Sequence, residues 1–431
     1  MRPEAHAPPP APEPAGERVA TLIAAAAIIL GVAARGWAVA HRGSLFLDEA
    51  SLALNVLSRG FVGLTRPLAW GQAAPVGYLW IERAAVNALG ASEVALRAWP
   101  FVAGAATLPF TWLVARRIAG PWPAAFATVA VSCSLLGTRY ASEAKPYASD
   151  ALVAIGLAWL ALRVLDAGVD APRARGRWWL LGACGAVAVV VSLPAVFVLG
   201  ATGVAVGAAV WVWRDAGARR AALACAVAWI AVFAVVWLGG IRGAAHAAYL
   251  QEYWAPVMLQ PGRPALAARV VRAIGSVAAT PLWWEASVAF TLAAVAAWAV
   301  GAVRLARRNR VAAVLVVGPV ALAAAASMLG VYPLSDRLAY FAAPLGMIAV
   351  GVALDAVAGA VGAGPVSATA GGAARGAVAT TLRALVALAL GAGVGADAWH
   401  LIRAPGALEP THDLFASVAA EARATHEPVY V

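Results

Sequence analysis

Lys145 is the only lysine in the chain; the other 31 of its 32 formal cations are arginine. It stands in TRYASEAKPYASD, Thr138 to Asp150, two residues after Glu143 and directly before Pro146. Proline disfavours helical geometry at the residue before it and suits a first helical turn, so Lys145 is expected to be extended and Pro146 to open a helix. In an extended segment, residues two apart project to one side, which sets Glu143 beside Lys145. Tyr147 and Asp150, three apart, share a face of the following helix. A carboxylate, an ammonium, a phenol and a second carboxylate then converge. An ammonium is a compact point charge for a phosphate oxygen, a fit different from the planar fork of a guanidinium. The competing use of Glu143 and Lys145 is an ion pair at a helix boundary, contributing about 0 to 1 kcal/mol if exposed.

A second cluster lies in SLFLDEASL, where Asp48 and Glu49 are adjacent. Paired carboxylates before a helix can accept a proton or hold a divalent cation. They can also simply cap the helix and favour its dipole. Arg337, in YPLSDR, has two readings as well: a counter-charge for an anion, or a side chain that snorkels to lipid headgroups. His41, His246 and His400 show no metal-ligand spacing and read as loop histidines. Cys133, Cys184 and Cys225 fall singly in apolar runs, suggesting packing rather than a disulfide framework or a metal cluster. No GxGxxG, P-loop, HExxH or CxxC arrangement occurs in a plausible context, which removes local support for nucleotide-sugar, ATP and zinc-hydrolase chemistry. No organic cofactor is implied.

The elements that carry these residues are membrane helices. Hydrophobic residues make up 63% of the chain and charged residues 12%, with a mean hydropathy of +0.79, far from the composition of soluble domains. Charge-free runs of roughly 17 to 25 residues recur along the chain, the length a helix needs to cross a bilayer. The expected fold is therefore all-α and polytopic; a barrel would show short alternating strands. Spans are expected at roughly 19 to 40, 98 to 115, 123 to 138, 150 to 165, 178 to 193, 196 to 213, 221 to 240, 286 to 303, 311 to 330, 338 to 355 and 378 to 398. That is about 11 transmembrane helices, in a range of about 10 to 13.

Arginine placement orients them, because cytoplasmic loops retain positive charge. Basic connectors at Arg116-Arg117, Arg163 to Arg177, Arg214 to Arg220, Arg304 to Arg310 and Arg375 to Arg383 are assigned to the inside. The net charge of +11 mostly reflects these loops and is no nucleic-acid signal. The N-terminus is then cytoplasmic, and every polar cluster lies on the extracytoplasmic face of the plasma membrane. In the first outer loop, residues 41 to 97, Ser51 to Phe61 and Tyr78 to Leu89 are expected to form interfacial helices along the bilayer surface. A long fourth loop, Arg242 to Glu285, carries AAYLQEYWAPVML. Trp70, Tyr78, Tyr253, Trp254, Trp283 and Trp284 are more readily membrane anchors than sugar platforms. Residues 1–18 read as a disordered cytoplasmic tail, 358 to 376 as a flexible cytoplasmic linker, and 399–431 as a short extracytoplasmic tail.

The order of LDEA, QAAPVGYLWIE, LGASEVALRAWPFVAG, RYASEAKPYASD and YPLSDRLAYFAAPLG resembles the GT-C membrane glycosyltransferases. Within them it is most similar to the protein O-mannosyltransferase and aminoarabinose-transferase branch, over roughly residues 19 to 355. The resemblance implies sugar transfer from a polyprenyl-phosphate-linked donor at the outer face of the lipid bilayer. Asp48 matches the acidic residue that acts as base or metal ligand in such enzymes, with Glu49 beside it. Glu143 matches the acidic position of the second outer loop, and Lys145 stands where many relatives have arginine. Arg97 matches the arginine ending the first loop, and Arg337 the one in the last outer turn. A divalent cation, Mg or Mn, would be held by Asp48 and Glu143. Gln72, Tyr78, Tyr140, Tyr147 and Asp150 are the expected substrate-binding residues. Gln72-Ala73-Ala74-Pro75 replaces the His-Pro-Pro of better-known members. Neither the sugar nor the acceptor can be read from the chain, and a transporter or flippase of a lipid-linked saccharide is the rival from another class.

Overall fold

The computed structural model describes residues 15–41, 44–168, 171–241, 248–283, 286–362 and 372–403. The expectations for His246, Trp284, residues 1–14, residues 363–371 of the 358 to 376 linker and the tail from 404 onward lie outside the described residues. In chain order the helices are α1 (Ala15–His41), α2 (Leu47–Ser58), α3 (Val76–Leu89), α4 (Glu93–Ala119), α5 (Pro121–Cys133), α6 (Leu135–Ala141), α7 (Tyr147–Ala167), α8 (Ala171–Val191) and α9 (Ala195–Trp213). They continue with α10 (Ala216–Val236), α11 (Ala248–Trp254), α12 (Leu266–Ala278), α13 (Val288–Arg308), α14 (Arg310–Met328), α15 (Asp336–Ala339), α16 (Ala343–Gly362) and α17 (Gly372–Arg403).

The fold is all-α, with no strand among the described residues. Nine helices in that set are long and apolar enough to cross a membrane: α1, α4, α7, α9, α10, α13, α14, the α15–α16 stretch and α17. Two further expected spans differ from that form. The span expected at 123 to 138 is broken: α5 ends at Cys133, Ser134 is extended, and α6 follows. α8 carries Arg175 and Arg177 near its start. The tails are also shorter than expected, because Ala15 to Arg18 already belong to α1 and α17 runs through Arg403.

The break between α5 and α6 frees carbonyls that a membrane interior cannot hydrate. Arg35 of α1, fully buried, supplies the donors: its guanidinium donates to the carbonyls of Ser132 and Val131, each at 2.9 Å, and to Gly31 in its own helix. Ser134 then caps α6 by accepting from the Gly137 N–H at 3.2 Å. A Cβ on Gly137 would strike the Arg35 guanidinium and push it off its carbonyl partners, so a small residue favours the close approach of α1 and α6. The same rule governs α13 against α16, where a Cβ on Gly301 would run into the Ala349 carbonyl.

The hairpins put the basic connectors together at one end of the bundle. There Arg116 pairs with Glu17 at 2.6 Å, Arg117 with Asp166, and Arg383 with Asp355 at 2.7 Å. The opposite end carries α2, α3, α6, α11, α12 and α15. α2 and α3 pack one face on the bundle and leave Leu47, Leu54, Leu57, Trp80 and Leu89 exposed, as interfacial helices do. Leu52, Ala53 and Val56 pack with Tyr78, Leu79 and Val86 over Leu96 and Ala144, forming a small core of their own.

Candidate active site

Asp48 and Glu49 enter in the first turn of α2, and the chain sends them to different tasks. Glu49 has no exposed surface. It accepts the Phe46 N–H at 3.4 Å, capping its own helix, and the Ala144 N–H at 2.7 Å. The Arg97 guanidinium lies 3.8 Å away, itself buried and also 3.8 Å from Glu93. Glu49 therefore fastens α2 to α4 and to the turn before α7.

That turn is not the extended segment expected. The Lys145 N–H donates to the Glu143 carbonyl at 2.7 Å, closing a tight bend, and Pro146 precedes α7 in helical geometry. The bend separates the two side chains. Glu143 accepts the Arg139 Nε at 2.6 Å, one helical turn back. Lys145 turns instead toward α2, where its Nζ lies 3.0 Å from Asp48 Oδ1 and donates to Gln72 Oε1 at 3.0 Å. Gln72 closes the triangle by donating from Nε2 to Asp48 Oδ1 at 3.1 Å.

Arg337 completes the cluster from the far end of the chain, its Nη1 lying 3.1 Å from Asp48 Oδ2. It is aimed by a strained turn. Asp336 adopts a left-handed backbone with φ of 48°, which costs on the order of 1–3 kcal/mol for a residue other than glycine. Asp336 N–H donates to Ser276 Oγ of α12 at 3.0 Å, and Ser335 Oγ donates to the Asp336 carboxylate at 3.0 Å. Two aromatic faces flank the guanidinium: Tyr147 at 6.0 Å and Trp254 at 5.7 Å. Tyr147 is backed by Tyr140 at 5.0 Å, which in turn meets Tyr340 at 4.8 Å.

Burial raises the Asp48 carboxyl, but Lys145, Arg337 and the Gln72 amide outweigh it and hold the group below its ordinary value. Burial pulls the Lys145 ammonium below its ordinary value, with Asp48 opposing part of that effect. This buried cation relies on an anion at hand.

The structure thus brings together Asp48, Lys145, Arg337, Gln72 and Tyr147. Tyr140 lies one ring behind. Glu143 is nearby but paired with Arg139. Glu49, Arg97 and Tyr78 sit beneath the surface of the cluster, and Asp150 is buried one turn into α7. Of the pair expected to hold a divalent cation, Asp48 presents both oxygens to cations and Glu143 accepts from Arg139. Among the described residues, no group of three His, Cys, Asp or Glu side chains could hold a metal ion.

Two residues escaped sequence reasoning. Trp254 was assigned to membrane anchoring, yet it forms one wall beside Arg337, while Trp70 and Trp283 are largely exposed. Glu82 of α3, inside the stretch expected to be an interfacial helix, is fully buried against Tyr78 without a well-formed hydrogen bond. Burial raises its carboxyl well above the ordinary value, a shift only partly opposed by Tyr78. A carboxylate at a position that helical spacing puts against Tyr78 was the available signal.

No family model and no curated protein matches the chain. Solved structures do. The apo form of ArnT from Cupriavidus metallidurans matches with a TM-score of 0.53 at 16% identity, over 89% of this chain and 76% of that one. ArnT bound to undecaprenyl phosphate matches with a TM-score of 0.51 at 16% identity, over 89% and 77%. Both have the architecture of GT-C membrane glycosyltransferases. This chain has the GT-C fold. The archaeal oligosaccharyltransferase AglB from Archaeoglobus fulgidus, in complex with an inhibitory peptide and a dolichol-phosphate, gives a TM-score of 0.52 at 14% identity, over 89% of this chain and 56% of that one.

Proposed function

We propose that the protein is an integral membrane glycosyltransferase that moves a sugar from a polyprenyl-phosphate donor to an acceptor hydroxyl, with inversion at the anomeric carbon. The observation that carries this reading is a half-buried carboxylate, Asp48, held between two cations, Lys145 and Arg337, at one end of a GT-C bundle. Two further features support it. The neighbours of like fold are a protein bound to undecaprenyl phosphate and one bound to a dolichol-phosphate. An apolar cleft of about 240 Å³, lined by Leu259, Leu266, Val270, Ile274, Val320 and Leu334, opens beside the strand of chain that leads to Arg337 and suits a lipid tail.

In this reaction the acceptor oxygen attacks the anomeric carbon and its proton passes to Asp48. The bond from that carbon to the phosphate oxygen breaks, and the electron pair leaves with the phosphate. Lys145 and Arg337 neutralise the charge that develops there. Gln72 holds Lys145 and Asp48 in register, and Tyr147 and Trp254 fix the Arg337 plane. Glu49, Arg97 and Glu143 act as positioning residues for the turn and helix that carry the chemistry. Because the carboxylates face cations, no step is assigned to a metal. Positive-inside placement of the arginine connectors puts the N-terminus in the cytoplasm and the site on the extracytoplasmic side.

The test is transfer of radiolabelled sugar from a panel of polyprenyl-phosphate sugars by purified protein in lipid. Wild type is expected to transfer label, and Asp48→Asn to fall at least about a hundredfold while still folded at the assay temperature. Wild-type protein that is inert with every donor, yet moves lipid-linked sugar across sealed vesicles, would replace this reading with a transporter.

A further inference from the structure

Within the reading just given, we propose that Asp48 is an internal competitor for the donor phosphate: it occupies the anion site formed by Lys145 and Arg337, and donor binding displaces it and frees it to act as base. The geometry suits an exchange. Asp48 gives one oxygen to each cation, Oδ1 to Lys145 at 3.0 Å and Oδ2 to Arg337 at 3.1 Å. The non-bridging oxygens of a phosphate offer the same two-point contact to the same pair. The two cations come from separate elements, the turn before α7 and the start of α15, and each has contacts besides Asp48. Lys145 Nζ also donates to Gln72, and the Arg337 guanidinium lies between Tyr147 and Trp254.

Burial makes this an exchange rather than an addition. Lys145 is only 5% exposed, and an ammonium taken from water without an anion is costly, so the site is not left empty. Gln72 can keep its Oε1 on Lys145 while its Nε2 releases Asp48. Asp48 itself keeps a route outward, with 30% of its side chain exposed.

The charges order the cycle. A donor phosphodiester carries one negative charge, so it replaces the carboxylate at the cations one for one. The displaced Asp48 has lost the contacts that made it a poor proton acceptor, and it regains basicity only when a donor is present. After transfer, the departing polyprenyl monophosphate carries about −1.5 to −2. Asp48, now protonated, is neutral and does not compete. Loss of that proton restores the carboxylate, which again competes with the product for Lys145 and Arg337 and assists its release. Donor binding therefore precedes acceptor deprotonation.

The experiment measures binding of farnesyl phosphate, a short polyprenyl monophosphate, to the full-length protein in lipid nanodiscs by calorimetry. Asp48→Asn is expected to bind about tenfold more tightly than wild type, because a charge-assisted competitor has been removed. Lys145→Gln is expected to bind more weakly, and the gain from Asp48→Asn is expected to shrink in the Lys145→Gln background. Asp48→Ser provides the same comparison should the asparagine variant not fold. Wild-type binding with no tightening, or with weakening, in the folded Asp48 variants overturns the competition and leaves the glycosyltransferase reading standing. Absence of binding by wild type and every variant overturns the donor site itself, and the competition with it.

Discussion

Asp48 is reached by two cations that are not equivalent. Lys145 is enclosed, with its Nζ 3.0 Å from both Asp48 Oδ1 and Gln72 Oε1, whereas Arg337 is about a third exposed between aromatic faces. Lys145→Arg is therefore not conservative. A guanidinium in that space overpacks it, at a cost of about 1–3 kcal/mol. Steady-state kinetics with the donor found active should show transfer efficiency down at least about tenfold, mainly as a raised KM for the donor. The pH dependence of stability follows from the same contacts. The folded-state value of Asp48 lies below its ordinary 3.8, so its contribution is present above pH 3.8 and is lost as pH falls through the folded value. The melting temperature of wild type should exceed that of Asp48→Asn at neutral pH, and the gap should close on acidification below that point.

At the level of single helices, α3 and the α5–α6 break make separate predictions. Glu82 is buried with its carboxyl raised well above the ordinary 4.5, so the folded protein holds a proton that the unfolded chain releases. That term lowers stability as pH rises above 4.5. Glu82→Gln keeps the shape without the ionisable group, and its melting temperature should exceed wild type at pH 8 by more than at pH 5. Arg35→Met removes the donors for the Val131 and Ser132 carbonyls at the break. Leaving buried carbonyls unpaired costs about 1–3 kcal/mol each. Thermal melting in detergent should drop markedly, and transfer should fall with it, because α6 leads directly into Arg139, Glu143 and Lys145. Periodicity marked α3 as a helix but not which way Glu82 faced. A charge-free run hid the kink at Ser134, since hydropathy averaged over a span does not register a turn made by two serines and a cysteine.

For the molecule as a whole, the separation between a basic end and a site end predicts sidedness. In a background lacking Cys133, Cys184 and Cys225, Arg66→Cys on the exposed connection between α2 and α3 should react with an impermeant maleimide in intact cells. Arg307→Cys at the end of α13 should react only after permeabilisation. The opposite pattern would invert the orientation. Composition and arginine spacing by themselves determined the membrane class, the helical architecture, the approximate spans and the clustering of arginine at one end, because these depend on neighbours along the chain. They also pointed to Asp48, Lys145 and Arg337 by residue type. Only the tertiary structure decided who meets whom. It brought Lys145 to Asp48 and Gln72, turned Trp254 onto Arg337, and buried Glu49 beneath the site. Asp48 and Arg337 lie 289 residues apart. Their contact depends on how α2, α7 and α15 pack, and on a bend of a few residues before Pro146. Long-range packing and bend geometry of that kind leave no periodic trace in the sequence.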